Sequence, residues 1–250
     1  MKLGKKPPRF DERTLKLSKY LNLALLPQQP IPYGWDGGIA EWLMLKNDTV
    51  GCCTISAAGH IEMGLTFDSK SFNGGMFTPN DNQIIASYSA VTKYTPGYPN
   101  SDTGAFCIDV LNYWRNTGIA GRAIGAYASV NVLDKDFIQK AVYIFGNSYL
   151  GVALPVSAQT QTIWDVVDPS LTGDSAPGSW GGHCIPIIAY DANYLTVITW
   201  GAPLKMTWAF LAAYCDELYA VLSNDFLRNG QAPNGFDLAA LQSDLSLITS

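Results

Sequence analysis

Histidine is the scarcest chemistry-bearing residue: the 250-residue chain has only two, His60 and His183, and no C-x-x-C pair. Structural zinc sites draw on four Cys or His ligands, so no metal is expected. Any thiol–imidazole chemistry must use one of those two positions. Charge is also lean, with 15% charged residues against 48% hydrophobic. No apolar run approaches the ~18–20 residues that cross a bilayer, and no membrane association is expected. No apolar stretch with a small-residue cleavage site stands near the N-terminus, so cytoplasmic production is the expectation. The five cysteines (Cys52, Cys53, Cys107, Cys184 and Cys215) are odd in number and lack a framework spacing, which fits a reducing compartment. Gly118, Gly121 and Gly125 match neither the phosphate-loop nor the dinucleotide pattern, so no cofactor is expected.

The formal charge of −5 argues against binding driven by nucleic-acid phosphates. It is unevenly spread. Lys2, Lys5, Lys6, Arg9, Arg13, Lys16 and Lys19 form a basic arm, while the rest of the chain holds nine basic and nineteen acidic side chains. A cationic arm on an acidic body suggests docking, onto its own body or onto a neighbouring subunit or other partner. The alternative is a solvated terminus.

Pro7, Pro8, Pro27, Pro30 and Pro32 make the first 50 residues mostly extended arm and loop. An arm over 1–30, a main domain over 31–222 and a C-terminal extension over 223–250 are expected. Asp48-Thr49 reads as the cap of a buried helix over Val50–Leu65. Further helices are expected at Asn82–Lys93, at Ala105–Asn116 closed by Gly118, at Lys135–Phe145 capped by Asp134, at Met206–Asp216 and at Asp237–Leu247. Leu150–Val156, Cys184–Tyr190, Tyr194–Trp200 and Leu218–Leu222 read as strands, with a polar loop over Ser157–Gly182. Helices early and strands late give an α+β pattern of two lobes with a cleft between them.

Within that pattern Cys53 stands near a helix start, where the dipole lowers a thiol pKa. His60 lies seven residues on, roughly 10 Å along a helix at ~1.5 Å per residue, too far to share a proton. His60 therefore reads as a core or cleft-edge histidine. His183 remains, at the end of the polar loop and the mouth of an apolar strand, preceded by Gly181-Gly182, which permit close approach of a backbone. Taken alone, Cys53 in an apolar helix is more often packing than chemistry.

Gly51-Cys52-Cys53-Thr54-Ile55-Ser56 followed by Gly181-Gly182-His183 resembles the papain-like cysteine peptidases, most of all bacterial and phage papain-like proteins of similar length. The separation of 130 residues between Cys53 and His183 agrees with the family's Cys-to-His spacing. Asn47 stands where the family carries an oxyanion-hole amide. Pro32-Tyr33-Gly34-Trp35-Asp36, Tyr190 and Trp200-Gly201 match further landmarks. The resemblance implies a two-lobed α+β fold, with the nucleophile helix in a helical lobe and a mainly antiparallel β lobe. It also implies a nucleophile Cys53, a base His183 and an oxyanion donor Asn47. Trp180, Gly181, Gly182 and Trp200 would line a peptide-binding cleft.

Two departures stand out. The family's second cysteine and the tryptophan after the nucleophile are absent. Its triad asparagine, two residues before Trp200, is Ile198 here. Thr199 beside it is expected to face away from His183 on an alternating strand. Two functions follow: a thiol hydrolase of peptide or isopeptide bonds working through a Cys–His dyad, or a catalytically weak fold used as a structural or interaction protein. The second case includes a virion-associated protein docking through its basic arm.

Overall fold

Two short pieces, α1 (Leu17–Tyr20) and β1 (Tyr33–Gly34), precede the element around which the rest is built, α2 (Cys53–Asp68). This computed structural model describes residues 1–12, 14–20, 28–35, 38–70 and 75–223. Every residue of α2 from Cys53 to Thr66 is buried, as a helix apolar on all sides must be. The expected cap at Asp48-Thr49 is not used. Left-handed backbone at Leu43, Leu45 and Lys46 (φ 60°, 49° and 64°) turns the chain there, and Val50 N–H closes on Lys46 O at 2.9 Å. The helix therefore starts three residues later than Val50, with Cys52 as N-cap and no side-chain cap bond.

Helix α3 (Asp81–Thr92) follows a capping box of Asn80 and Gln83, and α4 (Cys107–Asn116) buries Val110, Leu111 and Trp114 as their spacing predicts. Tyr88 ties this region to the start of α2. Its hydroxyl donates to Asp102 Oδ1 (2.7 Å) and accepts from Gly104 N–H (2.9 Å), while Asp102 Oδ2 accepts from Gly51 N–H (2.9 Å). Tyr88→Phe strands a buried donor and a carboxylate oxygen, so a loss of about 1–2 kcal/mol is expected. For a chain of this size that is a fall in Tm of roughly 2–8 °C, checked by thermal unfolding followed by circular dichroism; an unchanged Tm would remove the network from the fold's support.

Helix α5 (Lys135–Phe145) is capped as expected, with Asp134 accepting from Phe137 N–H and Gly146 left-handed. The remaining strands are β2 (Ile124–Ser129), β3 (Ser148–Leu154), β4 (Ile163–Trp164), β5 (Gly181–Tyr190), β6 (Tyr194–Thr199), β7 (Ala202–Thr207) and β8 (Cys215–Ser223), with α6 (Trp208–Tyr214) between the last two. They form one eight-stranded sheet in the order β2-β8-β3-β5-β6-β7-β4, with β1 also on β5. Among these described strands, β4–β7 is the one parallel pairing. This is the two-lobed α+β fold, with a helical lobe and a mainly antiparallel β lobe.

Two readings change. The helix over Met206–Asp216 shrinks to Trp208–Tyr214, because Trp200-Gly201 (φ 46° and 74°) makes a tight hairpin that pairs β6 with β7. Thr207 then caps the shortened helix through Phe210 N–H at 3.0 Å. Strand β2 was not foreseen: its one-sided burial alternates, but Gly and Ala dilute the apolar signal. The helix expected at Asp237–Leu247 lies outside the described residues, as does the region 224–250.

Candidate functional site

The first residue of α2 is Cys53, and α2 packs against β5, which carries His183. The Cys53 thiol meets the backbone N–H groups of Cys184, next in chain to His183, and of Gly4. Both Cys53 and His183 are 1% exposed. His183 Nε2 is 2.9 Å from Thr199 Oγ1, and Nδ1 is buried without a hydrogen-bond partner. Trp200 lies flat on the imidazole, centroids 4.4 Å apart and planes 14° off parallel. Trp180 reaches this stack through Trp200, at 5.4 Å.

The Thr199 contact corrects the sequence reading, and the sheet register explains it. Ile187 pairs with Val197 across β5 and β6. In an antiparallel pair, facing residues share a side and alternate residues follow them. His183, Ile185 and Ile187 thus share a face with Val197 and Thr199, while Ile198 points to the other. The hydroxyl one residue along, and not the side chain two before Trp200, orients the ring.

His60 is buried on α2, its Nε2 3.0 Å from Leu43 O and its ring edge-on to Trp42. It props the strained Leu43–Lys46 loop, close enough to His183 that a charge on either disfavours the other. Gly201 belongs to the same brace: a Cβ there would crowd the Leu43 carbonyl.

A stretch of the chain's own backbone crosses this site. Residues 2–6 run extended between the two walls, with Lys5 N–H on Gly182 O (3.1 Å), Lys6 N–H on Ala105 O (2.9 Å) and Ala105 N–H on Gly4 O (2.8 Å). Asn47, 2% exposed, donates its Nδ2 to the Lys2 carbonyl (3.1 Å) and to Val50 O (3.3 Å), and accepts Lys2 N–H on its own backbone at 2.9 Å. Trp200 Nε1 donates to the same Lys2 carbonyl at 3.3 Å. The fit depends on missing side chains. A Cβ on Gly4 would overlap the Gly51 carbonyl, one on Gly104 the Gly4 carbonyl, and one on Gly182 the Lys5 carbonyl. Gly181 packs on Leu3. A groove of about 290 Å³ remains beside the segment, walled by Asp102–Gly104 and by Gly181-Gly182.

The basic arm thus docks, over these residues, on its own body. Arg9 pairs with Asp109 and lies over the Phe106 ring.

The electrostatics follow from this cover. Burial pushes the Cys53 thiol far above its ordinary value, against the lowering expected from a helix start. Burial, then the nearby His60, pulls His183 down to about 3. With the segment seated, thiol and imidazole are therefore both neutral near pH 7. Cys52, pushed up to about 12 by burial, packs against Leu45 O and Ser56 Oγ.

No protein-family profile matches the chain, and neither does the sequence of any curated protein. Solved structures do match. Xylellain, a cysteine protease from Xylella fastidiosa, superposes with a TM-score of 0.66 at 13% identity, over 90% of this chain and 96% of that one. ProCathepsin B S9 from Trypanosoma congolense gives 0.60 at 9% identity, covering 88% and 86%. Bromelain from Ananas comosus, solved with the E64 inhibitor, gives 0.52 at 12% identity, covering 80% and 100%. The chain has the fold of the papain-like cysteine proteases.

Proposed function

We propose that the chain is a thiol hydrolase of peptide bonds whose cleft is closed by its own residues 2–6. The observation that carries this reading is the seated segment: an extended main chain lies across Cys53, with one carbonyl held by the Asn47 amide. The groove is thereby fitted to polypeptide.

In the open form, His183 takes the Cys53 proton on Nδ1, the nitrogen that the Thr199 contact leaves unused. The Cys53 sulfur then adds to the scissile carbonyl. Asn47 Nδ2 and the Cys53 N–H, which as the first residue of α2 has no intrahelical acceptor, receive the developing oxyanion. His183 returns its proton to the leaving amine, and a water activated by the same nitrogen splits the thioester, releasing acid and free thiol. Thr199 accepts from Nε2–H and so fixes the tautomer, while the Trp200 ring shields the pair from bulk water.

A second reading is a binding protein on the same fold, favoured by the neutral, covered pair. Reactivity separates the two. In the full chain carrying Gly4→Val, which cannot seat the segment, iodoacetamide is expected to label Cys53 fastest, with an apparent pKa below that of a free thiol. His183→Ala should abolish that shift, and Thr199→Val should move it toward the ordinary range. If Cys53 labels no faster than Cys215 in the opened chain, the hydrolase reading fails and the binding role stands.

A further inference from the structure

Beneath the seated segment two thiols meet. The Cys107 thiol donates to Cys184 Sγ at 3.8 Å, and both residues are buried. They come from opposite walls of the cleft. Cys107 opens α4, two residues after Ala105, and Cys184 lies on β5, two residues after Gly182. Ala105 and Gly182 are the residues whose backbones hold the segment at Gly4, Lys5 and Lys6. The register explains the meeting. Cys184 pairs with Gly151, so its side chain leaves the sheet on the face where Gly151 makes room and not on the face of His183. A Cβ on Gly151 would overlap Lys5 Cε, so that room is filled by the Lys5 side chain.

Lys5 therefore covers the pair. Its side chain is 1% exposed, with the ammonium 2.8 Å from Asp216 Oδ2 and 3.2 Å from Glu217 Oε1. It also lies near enough to Cys107 for charge on either to act on the other. Burial, then the Cys184 contact, holds the Cys107 thiol well above its ordinary value while the segment is seated. Packing alone does not account for the aim of this thiol. The Cys52 and Cys215 thiols donate to carbonyl oxygens, whereas that of Cys107 points at a second sulfur. A disulfide needs its sulfurs at about 2.05 Å, so from 3.8 Å the approach is under ~2 Å, shared between two side chains.

We propose that Cys107 and Cys184 are a redox-active dithiol, oxidised by hydrogen peroxide once the segment lifts and Lys5 leaves, and that their disulfide ties α4 to β5 across the cleft floor. Cys107 is the first residue of its helix, where the dipole favours a thiolate once water reaches it. That sulfur attacks one peroxide oxygen, the O–O bond breaks, and a sulfenic acid and one water form. The Cys184 sulfur then attacks the sulfenic sulfur, the S–O bond breaks, and a second water leaves. The two thiols give up two electrons and two protons, and the peroxide takes up both. Thiol reductants reverse the step. The cross-link restricts the unfolded chain between positions 107 and 184 and so stabilises the fold. The proposal rests on the seated segment and not on Cys53 chemistry, so it stands apart from the hydrolase reading.

The full chain carrying Gly4→Val and Cys53→Ala, opened and without the nearby third thiol, is compared with Cys53→Ala alone. Each is treated with hydrogen peroxide near neutral pH, blocked with N-ethylmaleimide, digested without reductant and mapped by mass spectrometry. A linked Cys107–Cys184 peptide is expected in both, forming about tenfold faster or more in the opened chain. The oxidised opened chain should melt about 5 °C or more above its reduced form, and dithiothreitol should remove that gain. Cys107→Ser and Cys184→Ser should each abolish both the link and the gain. No linked peptide, Cys107 or Cys184 joined chiefly to Cys52 or Cys215, or an unchanged Tm on linking each overturn the dithiol. Equal rates in the two chains overturn the cover by Lys5. Should Gly4→Val lack a melting transition, Lys5→Met takes its place, since it removes the ammonium that anchors the cover, and the same outcomes decide. Iodoacetamide labelling of Cys53 in Gly4→Val tests the hydrolase reading separately.

Discussion

Gly4→Val is expected to raise the rate of Cys53 alkylation at pH 7 by about two orders of magnitude over the wild-type chain. The argument is steric. Gly4 sits where any Cβ would overlap the Gly51 carbonyl, and backbone on both sides leaves nothing flexible to give way. Overpacking at such a point costs about 3 kcal/mol, which converts to roughly a hundredfold in the open population. Opposing it are the segment's main-chain bonds to Asn47, Gly182 and Ala105, each contributing about 0.5–1.5 kcal/mol. The buried Lys5 pairing opposes it as well. Lys5→Met reaches the same open state by another route, leaving Asp216 and Glu217 without their cation. Labelling by time-resolved mass spectrometry decides the matter. Equal rates in wild type and both variants would mean that the segment does not guard the thiol.

Acid is expected to unfold the closed chain earlier than its carboxylates alone require. His60 and His183 are both held down by burial, to about 4 and about 3. Above pH ~6.5 both histidines are neutral, folded or unfolded, and contribute nothing to the slope. Below it the unfolded chain takes up a proton at each site and the folded chain does not, so stability falls with pH. The loss runs from ~6.5 down to about 4 for His60 and about 3 for His183. Each site contributes up to about 1.4 kcal/mol per pH unit, so at pH 5 the chain should be roughly 4 kcal/mol less stable than at pH 7. Glu217 acts in the opposite sense, its carboxyl raised by burial, so it binds a proton more readily folded than unfolded. Urea midpoints at pH 7, 6 and 5 measure the slope. His60→Gln keeps a donor for Leu43 O and should halve it, and a flat profile would contradict the buried neutral pair.

The sequence made the buried helix that Cys53 opens and the strand that carries His183 legible, because each sits in a local motif: a run of small and apolar residues, and a Gly-Gly-His entry into an apolar stretch. Thr199 was misread because its facing is set by how β6 registers on β5, and no feature of either strand alone carries that. Asp216 and Glu217 were missed for a related reason. Their convergence needs a β8 bulge, where Gly151 pairs with Glu217 but Val152 with Cys215, and the sequence reading placed Asp216 at the end of a helix that stops at Tyr214 and left Glu217 between that helix and the next strand. The low thiol pKa expected of a helix start assumed solvent above Cys53. The arm's positive charge foretold docking, but not its seat, since Gly4, Gly104 and Gly182 acquire meaning only against one another.

Because the occupying segment is covalently part of the chain it blocks, the closure is a unimolecular equilibrium. Diluting the protein leaves it unchanged. A separate peptide carrying the same residues 2–6 must reach the tether's effective concentration, on the order of millimolar, to compete on equal terms. A single backbone cut beyond Lys6 alters the arithmetic at once. The freed piece then binds as an ordinary ligand, and at micromolar protein its occupancy falls with no change in any contact. Such a cut acts as a ratchet: the tether's advantage, once spent, is not restored by rebinding.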